Sequence, residues 1–382
     1  MARKAETKAG RVNMQDLMKL VNKKAGRNVA HDLTGANPTE VKEWIPTGSR
    51  WLDSIICKGK IAGIPVGKVT EIAGLESTGK SYMAAVIAAN AQKQGKIVVY
   101  FDSESAIDPS FLERTGCDLE HLMYVQASSV EFVLETIEEL LGAAEDQLVF
   151  IWDSLAFTPS VSDVEGDFNP QSSMAVKARI LAKGMSKLTI PLADAQATLI
   201  VLNQLKTNIP QGPNARIVAM TTPYVTPGGK AMHYSYSLRI WLTGRKAKSA
   251  FIEDERGFRI GSEVKVRLEK SRFGTQGRNC AFRILWGTED IGIRDEESWF
   301  DAIKGSESLK SAGAWYTLTT PDGYTKKFQP SKWNDLIMSD EEFRTQVIQV
   351  MDREIVQKFE NREGSADVFY AESEDLTVPV KT

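Results

Sequence analysis

Short apolar runs and helical patterns alternate along the chain from residue 68 onward. Four mostly apolar runs are typical of strands buried on both faces, and they cover residues 69–73, 97–101, 148–152 and 199–202. Between them, apolar positions recur at helical spacing in residues 81–94, 130–141 and 174–194. This alternation predicts an α/β fold, with a mostly parallel, twisted sheet flanked by helices on both faces.

The segments on either side of this region have different patterns. Residues 14–24 carry their apolar positions on one side of a short amphipathic helix, which we expect to dock outside its own domain. The runs at 237–243 and 264–268 predict hairpin strands that extend the sheet. The end of the chain, 361–382, is acidic and poorly apolar, a composition typical of disorder.

Two connections between the predicted elements are unusually long. One follows Asp153 and includes residues 165–170, and the other runs from residue 206 to about 229 and contains four prolines. Loops of this length inside a compact domain are usually functional or mobile. Ligands of parallel sheets bind at the carboxyl ends of the strands, where both loops begin.

The composition is that of a soluble globular protein without a membrane span. The 382 residues are 42% hydrophobic and 25% charged, and no run of about 18 apolar residues occurs. The basic N-terminus lacks a following apolar segment, so we do not expect a secretory signal. Cys57, Cys117 and Cys280 are few and far apart, which favours a reducing compartment over a disulfide framework or a zinc site. The expected location is the cytoplasm, or the host cytoplasm if the source is viral.

Charge is distributed unevenly, although the formal net charge is only −3. That net charge argues against a uniformly basic nucleic-acid binder. Residues 174–193, however, contain no acidic side chain, and Arg179, Lys183 and Lys187 share one helix face because they are four residues apart. From the spacing alone, this face is either an ordinary solvated surface or a contact for an anionic partner.

The strongest chemical signal is a glycine-rich loop between a predicted strand and a predicted helix. It fits the pattern G-x-x-x-x-G-K-[ST], in which backbone amides approach phosphates, the lysine reaches the outer phosphates and the final hydroxyl binds Mg²⁺. Its residues are Gly74, Leu75, Glu76, Ser77, Thr78, Gly79, Lys80 and Ser81. The loop and its context predict a nucleotide-binding protein, with ATP and Mg²⁺ as the ligands.

Three further strand ends carry side chains suited to ATP hydrolysis. Asp153 is a candidate Mg²⁺ ligand beside Ser81, although an aspartate at this position can instead cap the following turn. Glu104 is the best candidate to polarise the attacking water, and a surface glutamate is the alternative. Gln204 opens the second long loop and is placed to report the γ-phosphate to that loop, although an amide at a strand end is more often structural.

These motifs, in this order, resemble those of the RecA-type recombinase family. The similarity covers about residues 14–350, and residues 312–316 resemble the start of the small C-terminal domain of bacterial members. Its motifs lie at residues 45–49, 63–68, 74–81, 102–109, 153–155, 203–204 and 227–231. The resemblance implies a P-loop NTPase core with a RecA-like sheet, an N-terminal helix and strand, and a small C-terminal α+β domain.

The resemblance implies a role for each residue of an ATP-hydrolysing site. Lys80 and Ser81 match the ligands of the phosphates and of Mg²⁺, and Asp153 matches the aspartate of the second motif. Glu104 matches the catalytic glutamate, and Gln204 matches the γ-phosphate sensor.

Other matching positions concern the base and the neighbouring subunit. Phe111 lies where family members place an aromatic side chain against adenine. Lys270 and Arg272 match a catalytic basic pair that reaches the ATP of the next subunit, although a charged strand end is the alternative. Val29 matches a strand that family members add to the neighbour's sheet, and such a head-to-tail contact propagates as a helix.

The resemblance further implies two DNA-binding loops. The first corresponds to residues 165–173 and the second to residues 206–228, which is longer and richer in proline than in bacterial members. The residues expected to bind DNA are Arg179, Lys206, Ile209, Gly228 and Gly229, with Ile209 at the position that inserts between bases. The acidic tail is similar to regulatory tails that compete with DNA, or is a solubilising end.

The sequence therefore predicts an ATP-dependent recombinase that forms a helical filament on single-stranded DNA and exchanges strands with homologous duplex DNA. The alternatives are a hexameric helicase or motor of the same fold and a non-hydrolysing paralogue that acts as a scaffold. Mediator or single-strand-binding proteins are further expected partners. The expected divisions are 1–33 for oligomerisation, 34–290 for the ATPase core, 291–360 for the C-terminal domain and 361–382 for the tail.

Overall fold

The structure is a computed structural model that describes residues 13–32, 40–166, 173–244, 250–287 and 291–356. Most of the expected first DNA loop and the whole acidic tail lie outside these residues. The strands are β1 (Trp44–Ile45), β2 (Ile64–Pro65), β3 (Val69–Gly74), β4 (Ile97–Asp102), β5 (Leu122–Gln126), β6 (Leu148–Asp153), β7 (Thr198–Gln204), β8 (Lys206–Thr207), β9 (Tyr224–Val225), β10 (Leu238–Gly244), β11 (Phe251–Glu253), β12 (Arg259–Ser271), β13 (Asn279–Leu285), β14 (Gly292–Arg294), β15 (Leu309–Ala312), β16 (Trp315–Thr319) and β17 (Thr325–Phe328). The helices are α1 (Met14–Ala25), α2 (Arg50–Ile56), α3 (Lys80–Lys93), α4 (Pro109–Arg114), α5 (Val130–Ala143), α6 (Val161–Glu165), α7 (Ser173–Asp194), α8 (Ala215–Thr221), α9 (Gly229–Ser235), α10 (Trp299–Ile303), α11 (Trp333–Ser339) and α12 (Glu341–Glu354).

Within the described parts of the chain, ten strands form one large mixed sheet. Nine of them follow the order β14-β13-β12-β10-β3-β7-β6-β4-β5, and β11 pairs with β12. The strands from β10 to β5 run parallel to one another, and β12, β13 and β14 extend the sheet in antiparallel pairs. The prediction of a mostly parallel α/β sheet is confirmed.

Strand register brings the polar ends of four strands to one edge of this sheet, here called the P-loop edge. Gly74 of β3 lies opposite Gln204 of β7, and Asp102 of β4 lies opposite Asp153 of β6. The strands that carry them are almost wholly buried. Their apolar sequences therefore fix them in the centre of the sheet and leave the polar side chains at its edge.

The far edge of the sheet, where β3 begins, is lined by a different set of polar residues. Arg239 of β10 lies opposite Glu71 of β3 on one side and opposite Lys270 of β12 on the other. Both predicted later strands exist, but β12 is much longer than the apolar run at 264–268, because its outward positions alternate with charged residues. That alternation is typical of an antiparallel strand with one solvated face.

Helices cover the two faces of the sheet and bury two apolar layers. The side chains of α3 join one layer, and those of α5 and α7 form the other with the opposite face of the sheet. α5 begins at Ser129, whose Oγ accepts a hydrogen bond from the backbone N–H of Phe132 at 3.1 Å. Such an N-cap satisfies an amide that the helix itself leaves without a partner.

The segment after β14 contains a separate three-stranded sheet, β15-β16-β17, packed with α10, α11 and α12. Its apolar side chains continue the layer that contains α3. Two polar contacts also connect the segment to α2: Arg50 donates to Asp352 at 2.6 Å, and Ser49 Oγ donates to Asp295 at 2.5 Å. The division of the chain into domains remains a prediction.

The second long loop is more structured than its sequence suggests. Its ends pair as the short β8 and β9, and α8 lies between them, although no side chain of α8 is buried. α8 has only seven residues, about two turns, which is too short for apolar periodicity to identify a helix. Elsewhere, α1 is confirmed as amphipathic and likewise has no buried residue. No described helix combines the length and the apolar character needed to cross a membrane.

Candidate nucleotide-binding site

The loop at residues 74–81 links the end of β3 to the start of α3 in a tightly wound conformation. Ser77 and Gly79 have φ angles of 56° and 83°, in the left-handed region. A side chain at Gly74 would collide with the hydroxyl of Thr78, which donates to the carbonyl of Leu75 at 2.8 Å. Glycine is therefore required where the loop passes closest to itself.

This loop has the properties of an anion-binding site. The amides of Ser77 and Gly79 donate to no oxygen atom of the described residues, and the first turn of α3 adds its own amides beside them. The N-terminus of a helix attracts negative charge. The loop therefore offers backbone amides to an anion, and phosphate binding by residues 74–81 remains a prediction.

Lys80 folds over this loop. Its Nζ donates to the carbonyl oxygens of Leu75 at 3.0 Å and Gly74 at 3.4 Å. Burial lowers the pKa of the Lys80 ammonium, and the neighbouring carboxylates, Asp153 first among them, oppose that shift. An additional anion beside the ammonium would favour its charged form.

Ser81 and Asp153 meet directly. Ser81 Oγ donates to Asp153 Oδ2 at 2.8 Å, and the buried hydroxyl of Tyr100 donates to the same oxygen at 2.9 Å. Burial raises the pKa of Asp153, while the two hydrogen bonds act in the opposite direction. Hydroxyl and carboxylate oxygens are ligands that suit Mg²⁺, which usually takes few protein ligands and completes its shell with water and phosphate. The side chains present therefore fit this ion.

Glu104 lies on the loop that follows β4, and Asp102 organises that loop. The Asp102 carboxylate accepts hydrogen bonds from the amides of Glu104, Ala106 and Ile107, at 2.9, 3.0 and 3.3 Å. Glu104 Oε1 in turn accepts a hydrogen bond from Ser154 Oγ at 3.0 Å. The Glu104 carboxylate is thus oriented by Ser154, while its side chain remains exposed to solvent.

These groups surround one cavity of about 780 Å³ at the P-loop edge. Its lining includes the polar side chains of Lys80, Ser81, Glu104, Asp153 and Gln204 and the apolar side chains of Ile107, Phe111 and Leu112. Phe111 packs edge-on against Tyr82, with ring centroids 5.8 Å apart. A loop that can bind phosphates, next to apolar side chains that can contact a base, is complementary in chemistry to a nucleoside triphosphate.

Comparison with known proteins agrees with this geometry. The RecA N-terminal domain family matches residues 12–292. The chain belongs to the RecA family. Protein RecA of Bifidobacterium breve is 32% identical over 297 residues, which cover 78% of this chain and 70% of that protein. Protein RecA of Fusobacterium nucleatum is 32% identical over 307 residues, 80% of this chain and 75% of that protein, and Protein RecA of Colwellia psychrerythraea is 31% identical over 283 residues, 74% and 76%.

Two residues that the RecA resemblance singled out lie away from this cavity. Lys270 Nζ donates to the carbonyl of His233 at 2.7 Å, and Arg272 donates to the carbonyl of Tyr234 at 2.7 Å. Both therefore cap the C-terminal end of α9, at the far edge of the sheet. Burial, together with Arg272 and Arg239, lowers the pKa of Lys270 to about 8.

The residues expected to contact DNA in a RecA protein are mostly at the surface. The side chains of Arg179 and Lys206 are exposed, and Ile209 is 84% exposed. Gly228 and Gly229 have φ angles of 109° and 77°, and they turn the chain from the second loop into α9. Residues 167–172 of the first loop lie outside the described residues.

The sequence did not single out Tyr100 and Ser154 as site residues. Tyr100 lies in the apolar run of β4, so the sequence pattern does not distinguish it from an ordinary core aromatic residue. In the structure its hydroxyl donates a hydrogen bond to Asp153. Ser154 is inside a recognised motif, and only the fold shows that its hydroxyl binds Glu104. Position next to a strand end was the one available signal for Ser154.

Proposed function

We propose that this protein is an ATP-dependent recombinase that polymerises on single-stranded DNA, pairs it with homologous duplex DNA and exchanges strands. The observation that carries the proposal is the position of Gln204, which lines the cavity and is the last residue before the second long loop. A change at the γ-phosphate therefore acts at the root of a loop that extends into solvent. Membership of the RecA family supports the same activity.

The proposed hydrolysis uses the residues gathered at the P-loop edge. Lys80 and the loop amides bind the phosphates, and Ser81 and Asp153 hold Mg²⁺, which neutralises phosphate charge when bound. Glu104 polarises the attacking water and accepts its proton, and Ser154 orients the glutamate. Gln204 donates a hydrogen bond to the γ-phosphate and loses it after hydrolysis.

The proposed site is completed by a second copy of the chain. Lys270 and Arg272 lie at the far edge of the sheet, where they donate to the end of α9. In a head-to-tail assembly they would exchange these bonds for the phosphates of the next cavity, where positive charge stabilises the transition state. Two apolar surfaces fit the same arrangement. These are the exposed face of α1, with Leu17, Leu20 and Val21, and the outer side of the edge strand β5.

Val29, where the RecA resemblance implies a strand that joins the neighbour's sheet, is not in a strand in this single chain. Asn22 Oδ1 accepts hydrogen bonds from the amides of Val29 and Ala30, at 2.8 and 2.7 Å, so this segment turns back on α1. Joining the neighbour's β5 would require exchanging these bonds for sheet bonds. We propose that this exchange accompanies filament formation, with residues 1–33 as the oligomerisation unit.

The proposed DNA contacts lie on the second loop and on α7. Lys206 and Arg179 bind phosphates, Ile209 inserts between bases, and Gly228 and Gly229 let the backbone approach the strand. Phosphate contacts and base insertion do not depend on sequence, which suits a protein that acts on any strand. We propose further that residues 291–360 form a small C-terminal domain, that the tail 361–382 competes with DNA for this surface or serves as a solubilising end, and that the protein acts in the cytoplasm.

Two measurements test the proposed function. ATP hydrolysis is measured with and without single-stranded DNA, and strand exchange is measured between circular single-stranded and linear duplex DNA. We expect DNA to stimulate hydrolysis and joint molecules to form. Hydrolysis indifferent to DNA, or the absence of exchange, would contradict the proposal. Electron microscopy of the ATP-bound complex separates a helical filament from the closed ring of a hexameric motor.

A further inference from the structure

A buried polar network joins the two ends of the second long loop beneath the cavity. Asn203 Nδ2 donates both to Glu71 Oε1 and to the carbonyl of Pro227, each at 3.0 Å. Arg239 binds the other oxygen of Glu71 at 2.6 Å and also donates to Thr226 Oγ1 at 3.0 Å. We call these four side chains, Glu71, Asn203, Thr226 and Arg239, the coupling network.

The network is enclosed by the protein. The Glu71 side chain is fully buried and that of Arg239 is 9% exposed, and Asn203 and Thr226 are also buried. The guanidinium carbon of Arg239 lies 5.5 Å from the ring centroid of Trp241 and 5.8 Å from that of Tyr236. A buried ion pair whose partners are fixed on several sides has few alternative arrangements, so movement of one member displaces the others.

Each member belongs to a different functional element. Asn203 precedes Gln204 and its Oδ1 accepts a hydrogen bond from the Gln204 amide at 2.9 Å. Thr226 and Pro227 lie between β9, at the end of the second loop, and the start of α9. Thr226 also lies 3.2 Å from His233 Nε2, and the carbonyl of His233 accepts the hydrogen bond of Lys270. The coupling network thus connects Gln204 of the nucleotide cavity, the second long loop and, through His233, Lys270 at the far edge of the sheet.

We propose that the coupling network transmits the nucleotide state from Gln204 to the return end of the second loop, with Thr226 as the positioning residue at that end. The loop leaves the sheet after Gln204, and its two ends pair as β8 and β9; the network adds side-chain bonds from Asn203 and Arg239 to the residues that follow β9. A shift of Gln204 on nucleotide binding reaches the second loop by two routes. One runs from Asn203 directly to Pro227, and the other runs from Asn203 through Glu71 and Arg239 to Thr226. This inference rests on the proposed function, because it assumes that the loop binds DNA.

Thr226 offers a matched pair of variants that tests the inference. Thr226→Val keeps the shape of the side chain and removes the hydroxyl that accepts from Arg239, whereas Thr226→Ser keeps the hydroxyl. The first readout is the dissociation constant of an oligothymidylate measured with ADP and with a non-hydrolysable ATP analogue. Coupling between two sites is commonly about 5- to 150-fold in affinity. We expect the ratio of the two constants to be large in the wild type and in Thr226→Ser, and to fall to within about threefold of one in Thr226→Val.

The second readout needs no DNA. Trypsin cleavage after Lys206 and Arg216, both exposed in the second loop, is followed by mass spectrometry with and without the ATP analogue. We expect nucleotide to change the cleavage rate in the wild type and in Thr226→Ser but not in Thr226→Val. Affinity for the analogue without DNA and the thermal unfolding temperature report whether the cavity and the fold of each variant are intact.

Several results would overturn the inference. One is a Thr226→Val protein with the wild-type ratio and the wild-type nucleotide effect on cleavage. Another is an equal loss of DNA affinity in both nucleotide states, which would make Thr226 a DNA contact only. A wild-type loop whose cleavage ignores nucleotide would also refute it. If nucleotide changes cleavage in a Thr226-dependent way but not DNA binding, the coupling network stands and the proposed function fails. Should Thr226→Val not fold, Arg239→Lys, which keeps a cation beside Glu71 but shortens its reach to Thr226, is measured in the same way.

Discussion

Lys270 lies directly opposite Arg239 on neighbouring antiparallel strands, at the edge of the sheet where the P-loop strand begins rather than ends. Arg239 in turn lies opposite Glu71, three residues before Gly74. Since a strand rises about 3.3 Å per residue, this places Lys270 roughly 10 Å or more along the strand direction from the loop of its own chain. Within one molecule, the two halves of the proposed site are therefore separated along the strand direction.

This separation predicts complementation between two inactive variants. Lys270→Ala keeps an intact cavity but gives its neighbour no cation, and Glu104→Gln keeps the cation but has no general base. In a randomly mixed head-to-tail filament, about a quarter of the sites combine an intact cavity with an intact Lys270. We expect an equimolar mixture to recover about that fraction of the wild-type DNA-stimulated rate, whereas each variant alone is almost inactive.

Lys265→Ala is the matched control, because Lys265 is an exposed lysine on the same strand. It should leave the rate near the wild-type value, alone or in mixtures. A mixture no more active than the sum of its components would place Lys270 outside the active site. The ATPase rate is measured at saturating single-stranded DNA and across mixing ratios, where the recovered fraction should follow the product of the two proportions.

Glu104→Gln tests the assignment of the general base. The amide keeps the shape of the side chain and can still accept the hydrogen bond of Ser154, but it cannot take a proton from water. Loss of general base catalysis usually lowers the rate about 10²- to 10⁴-fold. We expect single-turnover hydrolysis to fall by that order while the affinities for ATP and DNA stay within about threefold of the wild type. A large loss of ATP affinity would instead indicate a binding role.

The sequence was sufficient to predict the strands at the centre of the fold and several of the polar residues that line the cavity, whose roles there remain predictions. β3, β4, β6 and β7 are continuous apolar runs, and such runs have few interpretations when helical patterns separate them. The polar residues at their ends then meet because parallel strands share an edge. Gly74 pairs with Gln204 and Asp102 pairs with Asp153 for this reason. All four lie within the motifs, and Gly74, Asp153 and Gln204 were also predicted as site residues.

The parts that the sequence did not reveal depend on contacts between distant segments. The bond between Glu71 and Arg239 joins residues 168 positions apart, and each looks like an ordinary charged residue inside an apolar strand. From its sequence context Tyr100 is an ordinary core aromatic residue, and its bond to Asp153 follows only from the pairing of β4 with β6. α8 has only seven residues, so its sequence is too short to show the periodicity by which helices are recognised.

Asp53 predicts a pH dependence of stability. Its carboxyl is buried where α2 meets the C-terminal segment and accepts hydrogen bonds from Thr47; burial raises its pKa from 3.8 to about 7. Between these values the folded state binds a proton that the unfolded chain has released, so the free energy of unfolding falls as pH rises. From pH 5 to 8 this group alone accounts for a decrease of about 2–3 kcal/mol.

The measurement compares chemical denaturation of the wild type and Asp53→Asn across that pH range. Asparagine cannot ionise, so the difference in unfolding free energy between the two proteins should shift by about 2–3 kcal/mol in favour of the variant between pH 5 and 8. Asp146→Asn, at an exposed aspartate, controls for the exchange of a carboxyl for an amide elsewhere. Parallel pH profiles for the wild type and Asp53→Asn would refute the assignment.

The proposed DNA surface predicts two distinguishable kinds of loss. Arg179→Ala or Lys206→Ala removes a phosphate contact, so the affinity for single-stranded DNA should fall and the slope of log affinity against log salt should decrease by about 0.7 for each. Ile209→Ala removes only an uncharged, apolar contact with the bases, so it should weaken binding with an unchanged slope. Lys187→Ala is the control on α7, because Lys187 already pairs with Glu138 at 2.6 Å. Fluorescence anisotropy at about four or more salt concentrations measures both the affinity and the salt slope. A changed slope in Ile209→Ala would contradict the proposed contact of Ile209. An unchanged slope in Arg179→Ala or Lys206→Ala would contradict the proposed phosphate contact of that residue.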